Sequence, residues 1–496
     1  LFVPLWVEDE PFRWEDALLY QVVVDRFAAV AGSLHDPAAP AEQIGLRYGG
    51  DLAGLTRVIE QGYFEELGVG ALWISPLYDN PEGTFPGTDG REYEGYHGYW
   101  PIAARDIEPE FGTEDDLDAL IAAAHARGLR VIMDVVPNHV HLEHPYWQDR
   151  QPEDFHEGCV CGTEDCPWSE HIETCWFTDY LADLELRDTT VTARQVDDIA
   201  WWIQRYDLDG VRVDAVPMMP RLVVRHLVHE LAHRFERGGT ELYVVGETFT
   251  GSFGWNTIRG YLGPYGLDGQ FDFPVMWALR DSLAWQGKTM AELDEVLAES
   301  ERAWVGPGAL MAPMIGNHDV TRFLSEADGD VGAAWDDPPP QPESLEPYER
   351  LVLAQAVTLT LTGLPVIYYG DEFGMPGARD PDNRRPMRFG DELSANEAWA
   401  LQQVQALGQA RSCSRALRRG TREAVAADDD VLAYLRDAGD GAPVLVVITR
   451  GDEISRSFPV PDGALADGAG TMVDVLSGVA VAVAYGATEE LVVPAR

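Results

Sequence analysis

Short apolar runs rich in β-branched residues recur along most of the chain, each followed by a polar or glycine-bearing loop and then a stretch of helical periodicity. Eight stand out: Leu19–Asp25, Ala71–Ser75, Arg130–Val136, Gly210–Asp214, Leu242–Glu247, Gln270–Phe273, Met311–Asn317 and Pro365–Tyr369. Helical patterns lie between them, among them Thr113–Arg127 and Thr190–Tyr206. Thr113, with Asp116 three residues on, has the form of a helix-opening cap. This alternation predicts parallel strands joined by crossover helices. Eight repeats suit a closed (β/α)8 barrel better than an open sheet.

Two stretches interrupt the rhythm. From His141 to about Leu186 the chain is cysteine-bearing and rich in aromatic and acidic residues. That predicts a small inserted subdomain after the third strand, because structureless loops of such length are rare. Asp328–Glu349, with its Pro338-Pro339-Pro340 run, reads as an acidic surface excursion after the seventh strand. Beyond about Ala416, short alternating strands take over at Val431–Leu435, Pro443–Thr449 and Leu491–Pro494. The expected fold is α/β: a TIM barrel over residues 1–140 and 187–415, an inserted subdomain over 141–186 and a C-terminal antiparallel β-sandwich over 416–496.

A chain of 496 residues with 46% hydrophobic content can bury a large core. No run approaches the ~18 apolar residues of a membrane span. Charge changes the picture more. Asp and Glu total 84 against 36 Lys and Arg, a net −48, and Lys288 is the sole lysine. Such a field repels polyphosphates, which argues against nucleic acid and anionic membranes as partners. Two origins fit it: an acid-rich soluble surface from a GC-rich genome, or adaptation to salt, which screens acidic self-repulsion.

In a barrel, reactive groups sit at the C-terminal ends of the strands. Four run ends carry polar side chains there: Asp134-Val-Val-Pro-Asn138-His139, Gly210-Val-Arg212-Val-Asp214, Val245-Gly-Glu247 and Gly316-Asn317-His318-Asp319. Singly, each fits an Asx turn or helix cap. Together they converge carboxylates on one mouth, the arrangement of glycoside chemistry, in which one carboxylate attacks the anomeric carbon and a protonated partner assists the leaving oxygen. Asp214 suits the nucleophile, since strand alternation puts Arg212 on the same inward face, where a cation keeps the Asp ionised. Glu247 suits the general acid, its pKa raised by the neighbouring anion. Asp319 suits a third carboxylate holding sugar hydroxyls, while His139 and His318 offer hydrogen bonds that strengthen as charge develops. In the loop after strand two, Tyr99 and Trp100 offer aromatic faces to a pyranose ring, with packing the alternative for Trp100.

Taken in order, Gly70–Pro76, Tyr96-His97-Gly98-Tyr99-Trp100, Asp134–His139, Leu181–Leu184, Gly210–Asp214, Gly246-Glu247, Gly316–Asp319 and Gly363–Glu372 resemble the α-amylase family of glycoside hydrolases, often called family 13. The resemblance implies a retaining, endo-acting hydrolase of α-1,4-glucosidic bonds in starch and maltooligosaccharides. Asp214 would be its nucleophile, Glu247 its acid/base and Asp319 its transition-state stabiliser, with Arg212, His139, His318 and Tyr99 around the cleaved glucosyl unit. Within Gly377–Arg384, Asp380 and Arg384 would hold the next sugar outwards. A calcium ion joining barrel to subdomain is also implied, with Asn138, Glu173, Asp183 and the backbone carbonyl at Met218 as its oxygen ligands. Pro217-Met218 stands where the family has Lys-His, so the acceptor-side contact of that Lys is missing.

For Cys159, Cys161, Cys166 and Cys175 two readings stay open. Two disulfides, with Cys159 and Cys161 each bonded to a distant partner, fit a secreted or periplasmic hydrolase. A four-cysteine zinc site is the other, although the spacing lacks paired clips. No basic and apolar leader opens at Leu1, and a start without Met fits a processed or trimmed chain. The expected partner is an α-glucan, and the expected state a monomer. Rivals of the same fold are a glucanotransferase or cyclodextrin-forming enzyme and a neopullulanase-like or cyclodextrin-degrading hydrolase. A non-catalytic barrel protein is disfavoured by the complete set of three carboxylates.

Overall fold

The computed structural model of the protein describes residues 2–7, 11–30, 34, 44–87, 89–460, 470–474, 476, 480–484 and 487–493. Seven of the predicted runs are strands: β1 (Leu19–Val22), β2 (Ala71–Ile74), β3 (Arg130–Val135), β4 (Gly210–Val213), β5 (Tyr243–Gly246), β6 (Gly269–Gln270) and β7 (Val366–Tyr368). They form one parallel sheet in the order β6-β5-β4-β3-β2-β1-β7. The run Met311–Asn317 closes the ring, Ala312 bridging Phe271 and Met314 bridging Val366, both in parallel. It makes single bridges rather than a full strand because Pro313 between them has no N–H to give to a ladder.

The strands are buried on both faces, which is why they read as continuous apolar runs. Leu19, Trp73, Ile132, Val245 and Val366 fill the barrel interior. Tyr20, Leu72, Val131, Val244 and Ile367 lie in the layer beneath the helices. Each fully buried aliphatic side chain of this kind contributes about 1.5–3 kcal/mol. The helix Glu114–Ala126 opens on the expected reciprocal cap between Thr113 and Asp116. The next predicted helix spans Thr189–Tyr206 and is capped by Asp188.

After β3, His139–His141 pairs antiparallel with Leu181–Asp183, tying the start of the inserted region to its end. Two disulfides, Cys159–Cys166 and Cys161–Cys175, cross-link the lobe between them, with S–S distances of 1.96 and 2.11 Å. Cys159 and Cys161 each take a distant partner, and the zinc reading is overturned because all four sulfurs are bonded in pairs. Cys166 and Cys175 are buried against Ala215 and Met218, so the lobe rests beside the end of β4.

At the C-terminal side, β8 (Thr421–Ala427), β9 (Val431–Asp437) and β10 (Val444–Thr449) form an antiparallel sheet. Leu432 and Tyr434 of β9 pack with Leu351, Ala354 and Val357 of the barrel helix Glu346–Thr360. The alternate residues Val431 and Ala433 face Phe458, Ile454, Leu491 and Val493. Ile454–Arg456 and Leu491–Val493 form a second antiparallel pair, and Gly470–Val473, Ala480–Ala484 and Ala487–Thr488 a third sheet. Pro494, the end of the last predicted strand, lies outside the described residues. Among those residues no helix is long and apolar enough to cross a membrane.

Candidate active site

Strand alternation turns Arg212 of β4 inward, and the parallel register sets Asp134 of β3 opposite it. The guanidinium is fully buried. Its Nη1 donates to both oxygens of Asp134 (2.8 and 3.0 Å) and to Asp214 Oδ1 (2.7 Å), while Nη2 lies 3.5 Å from Glu247 Oε2. Asp134 also accepts from Trp73 Nε1 (3.1 Å) and from the Tyr99 hydroxyl (2.8 Å). Burial opposes the Arg212 cation, yet Asp134, Tyr99, Asp214 and Glu247 around it hold its pKa well above the ordinary value. Burial raises Asp134 to about 7 against the pull of Arg212.

Glu247, at the end of β5, is 9% exposed. Its Oε2 accepts from the backbone N–H of Ala215 at 3.2 Å. Ala215 takes a left-handed conformation (φ 48°), at a cost of about 1–2 kcal/mol for a residue with a Cβ. Burial, with Asp214 and Asp319 adding to it and Arg212 opposing, raises Glu247 to about 8. Its carboxyl is therefore protonated at neutral pH and can give a proton away.

Asp319 closes the other side of the mouth, with Oδ1 3.3 Å from Arg384 Nη2 and Oδ2 3.4 Å from His318 Nε2. Its backbone N–H is held by Asn317 Oδ1 at 2.9 Å. Burial works against its ionisation, but His318, Arg384 and Arg212 outweigh it and keep the pKa below the ordinary value. Burial drives His318 itself down to about 3, so at neutral pH the two arginines supply the charge. The His318 ring stacks parallel to Tyr99, whose hydroxyl is 2.8 Å from Nε2, and its Nδ1 is 2.6 Å from Gln21 Nε2. Arg384 is buried, pairs with the exposed Asp380 at 3.1 Å and donates to the His318 carbonyl at 2.9 Å. His139 is lowered by burial and lies with Nε2 3.1 Å from the Tyr99 carbonyl.

Asp214, Glu247, Asp319, Arg212, His318, Tyr99, Asp380 and Arg384 thus belong to one network, joined by His139 through the Tyr99 backbone. Of the two readings for Trp100, the structure takes packing. It is buried edge-on among Phe85, His97 and Tyr180, so its ring packs the subdomain contact instead of facing the mouth. Three residues were given no role from sequence: Asp134, Trp73 and Gln21. A polar side chain on the inward face of an apolar run was the available signal for Asp134 and Gln21.

The expected calcium ligands are only partly brought together. Asn138 Nδ2 donates to Asp183 Oδ1 at 2.9 Å, but the other Asp183 oxygen is held by His156 Nδ1 at 2.6 Å, and His156 Nε2 lies 2.9 Å from Glu185 Oε2. Against burial, Asp183 and Glu185 hold His156 above its ordinary pKa. Glu173 pairs with Arg187 at 3.1 Å, and Met218 is buried against the disulfide lobe. Among the described residues no group of three or more His, Cys, Asp and Glu side chains could hold a metal ion. Calcium takes 6–8 oxygen ligands. A nitrogen on Asp183 and a cation on Glu173 do not fit that donor set.

Residues 21–426 match the family described as "Alpha amylase, catalytic domain". "Alpha-amylase 3" of Schizosaccharomyces pombe is 30% identical over 403 residues, covering 78% of this chain and 64% of its own length. A cyclomaltodextrin glucanotransferase of Paenibacillus macerans is 28% identical over 510 residues, covering 96% of this chain and 66% of its own length. The chain therefore spans somewhat less than two thirds of the length of these relatives. Among solved structures, an Anoxybacillus α-amylase superposes with a TM-score of 0.80 at 26% identity, over 98% of this chain and 97% of that one.

Proposed function

The chain belongs to the α-amylase family of glycoside hydrolases and transferases, and from that premise we propose that it is a retaining, endo-acting hydrolase of α-1,4-glucosidic bonds in starch and maltooligosaccharides. One observation carries the reading: a single buried guanidinium stands 2.7 Å from Asp214 and 3.5 Å from Glu247. Retention needs two carboxyl groups about 5 Å apart, one to attack and one to donate a proton, and the shared guanidinium holds both at one mouth.

In the proposed reaction Asp214 attacks the anomeric carbon as the protonated Glu247 gives its proton to the leaving glycosidic oxygen. The covalent glycosyl-Asp214 ester is then opened by water, whose proton returns to the Glu247 carboxylate. Asp319 and His318 hold hydroxyls of the reacting unit, and Arg212 steadies Asp214 when the ester breaks. Asp380 and Arg384 face the next sugar outwards. The substrate is neutral, so most of the 84 acidic residues serve the solvent-facing surface. Two disulfides suit a secreted or periplasmic setting, since they persist in oxidising compartments.

Asp214→Asn and Glu247→Gln are each expected to lower kcat on soluble starch on the order of 10⁴-fold or more with folding retained. Near-parental activity in either variant would refute the reading. Transfer is the second reading, favoured by the glucanotransferase among the relatives. Product sizes from maltoheptaose separate the two: shorter linear chains alone mean hydrolysis, and chains longer than the input, or rings, mean that a sugar hydroxyl intercepts the ester.

A further inference from the structure

On its inward face β1 carries a buried polar side chain, Gln21, 2% exposed. Its amide nitrogen is 2.6 Å from His318 Nδ1, and its Oε1 is buried without a hydrogen-bond partner among the described residues. A neutral imidazole has one nitrogen that donates and one that accepts. An amide nitrogen only donates, so Nδ1 accepts and the ring proton sits on Nε2.

The groups on the far side of the ring require the same choice. Asp319 Oδ2, 3.4 Å from Nε2, would repel a lone pair there. The Tyr99 hydroxyl, 2.8 Å from Nε2, gives its own proton to Asp134 Oδ2 and is left to accept. Turning the Gln21 amide over would pair Oε1 with an Nδ1–H but strip the proton from Nε2. The remaining charges near the ring, Arg384 and Arg212, are cations that disfavour a protonated imidazolium.

We propose that Gln21 is a positioning residue for the glycosidic reaction: its amide fixes His318 as the neutral Nε2–H tautomer, so that a donor rather than a lone pair lies between the Tyr99 hydroxyl and Asp319, where an incoming sugar hydroxyl can take it over. The inference rests on the functional reading above, but the tautomer belongs to the resting protein and is measured without substrate. Long-range ¹H–¹⁵N correlation on ¹⁵N-histidine-labelled protein at neutral pH, with His318 assigned through His318→Asn, is expected to show Nε2 protonated and Nδ1 bare. Gln21→Met keeps the side-chain length and removes the donor. It should give a mixed tautomer and lower kcat on maltoheptaose by about 10-fold, with KM within about twofold. Gln21→Glu places an acceptor at Nδ1 and should move the proton there, adding a new ionisation to the pH profile of kcat.

A wild-type spectrum with the proton on Nδ1 overturns the proposal. So does a folded Gln21→Met protein with unchanged tautomer and unchanged kcat. If Gln21→Met does not fold, the wild-type spectrum decides alone. Failure of the Asp214 and Glu247 variants to lose activity would leave the spectrum unaffected, so the two readings fall separately.

Discussion

Two buried guanidiniums stand at opposite ends of the barrel and are compensated in opposite ways. At the C-terminal ends of the strands, Arg212 meets three carboxyl groups, those of Asp134, Asp214 and Glu247. At the N-terminal ends, Arg411 forms no ion pair with a carboxylate among the described residues. Its Nη1 donates to the carbonyls of Leu359, Leu361 and Leu417, and its Nη2 to those of Gly363 and Glu15, at 2.7–3.4 Å. Arg436 beside it donates to the carbonyls of Thr360 and Gly420. Carboxylates hold Arg212 above its ordinary pKa, whereas burial and the neighbouring cations Arg436 and Arg418 push Arg411 down to about 9 against Asp16, and burial takes Arg436 to about 10. Charge is matched with charge at the mouth, where the proposed reaction moves protons. Backbone dipoles suffice where a side chain only ties the barrel floor to the C-terminal sheets.

The contrast breaks most visibly if the two arginines are exchanged for residues of similar length. Arg212→Lys leaves a point charge that cannot donate to Asp134 and Asp214 while facing Glu247. Its kcat on starch is expected to fall about 10³-fold, with a modest change in thermal midpoint. Arg411→Met strips donors from five carbonyls and should cost about 3–5 kcal/mol in denaturant unfolding, while kcat well below the midpoint stays near parental. A folded Arg411→Met protein without activity, or an active Arg212→Lys protein, would erase the distinction.

A smaller effect sharpens the same comparison through pH. Glu247 is raised from 4.5 to about 8 in the folded protein, so folding binds its proton more tightly than the open chain does. Its contribution to stability is full below about pH 4.5 and is lost as pH rises through about 8. Glu247→Gln cannot pay that penalty. Its thermal midpoint should track the parent in acid and exceed it by a few degrees above about pH 8. The parent's kcat/KM should decline over the same range as the acid is lost. A midpoint difference that stays flat with pH would show that the carboxyl is not raised. Asp134, also raised, is common to both proteins and cancels in the difference.

The same physics decides what could be read before the structure. Barrel strands were legible because burial on both faces leaves apolar runs of strand length, and the mouth was legible because polar residues end those runs at inward positions. Pro313 was visible too, but a strand of single bridges is defined by its neighbours Phe271 and Val366, which no local pattern names. The role of Asp134 depends on its register opposite Arg212, and that of Gln21 on what the barrel places beside His318. Trp100 is enclosed by Phe85 and Tyr180, the latter 80 positions away in sequence. The disulfide reading gave Cys159 and Cys161 distant partners, yet only the folded lobe selects Cys166 for one and Cys175 for the other.

The smallest expected effect lies at the junction of barrel and subdomain, where His156 occupies the carboxylate that an ion would need. An ion bound at a hundred times its Kd would stabilise the folded chain by about 2.7 kcal/mol. In a chain of 496 residues that is a shift of about 2–3 degrees in thermal midpoint, still large enough to see. With Asp183 already engaged by Asn138 and His156, a calcium chelator is expected to leave the midpoint unchanged. His156→Ala should lower it by a few degrees, because Asp183 and Glu185 then face each other without the ring between them. A midpoint that falls with chelator and returns with added calcium would mean that Asn138 and Asp183 gather an ion after all. The carboxylates of the junction would then be compensated by an ion rather than by the His156 ring.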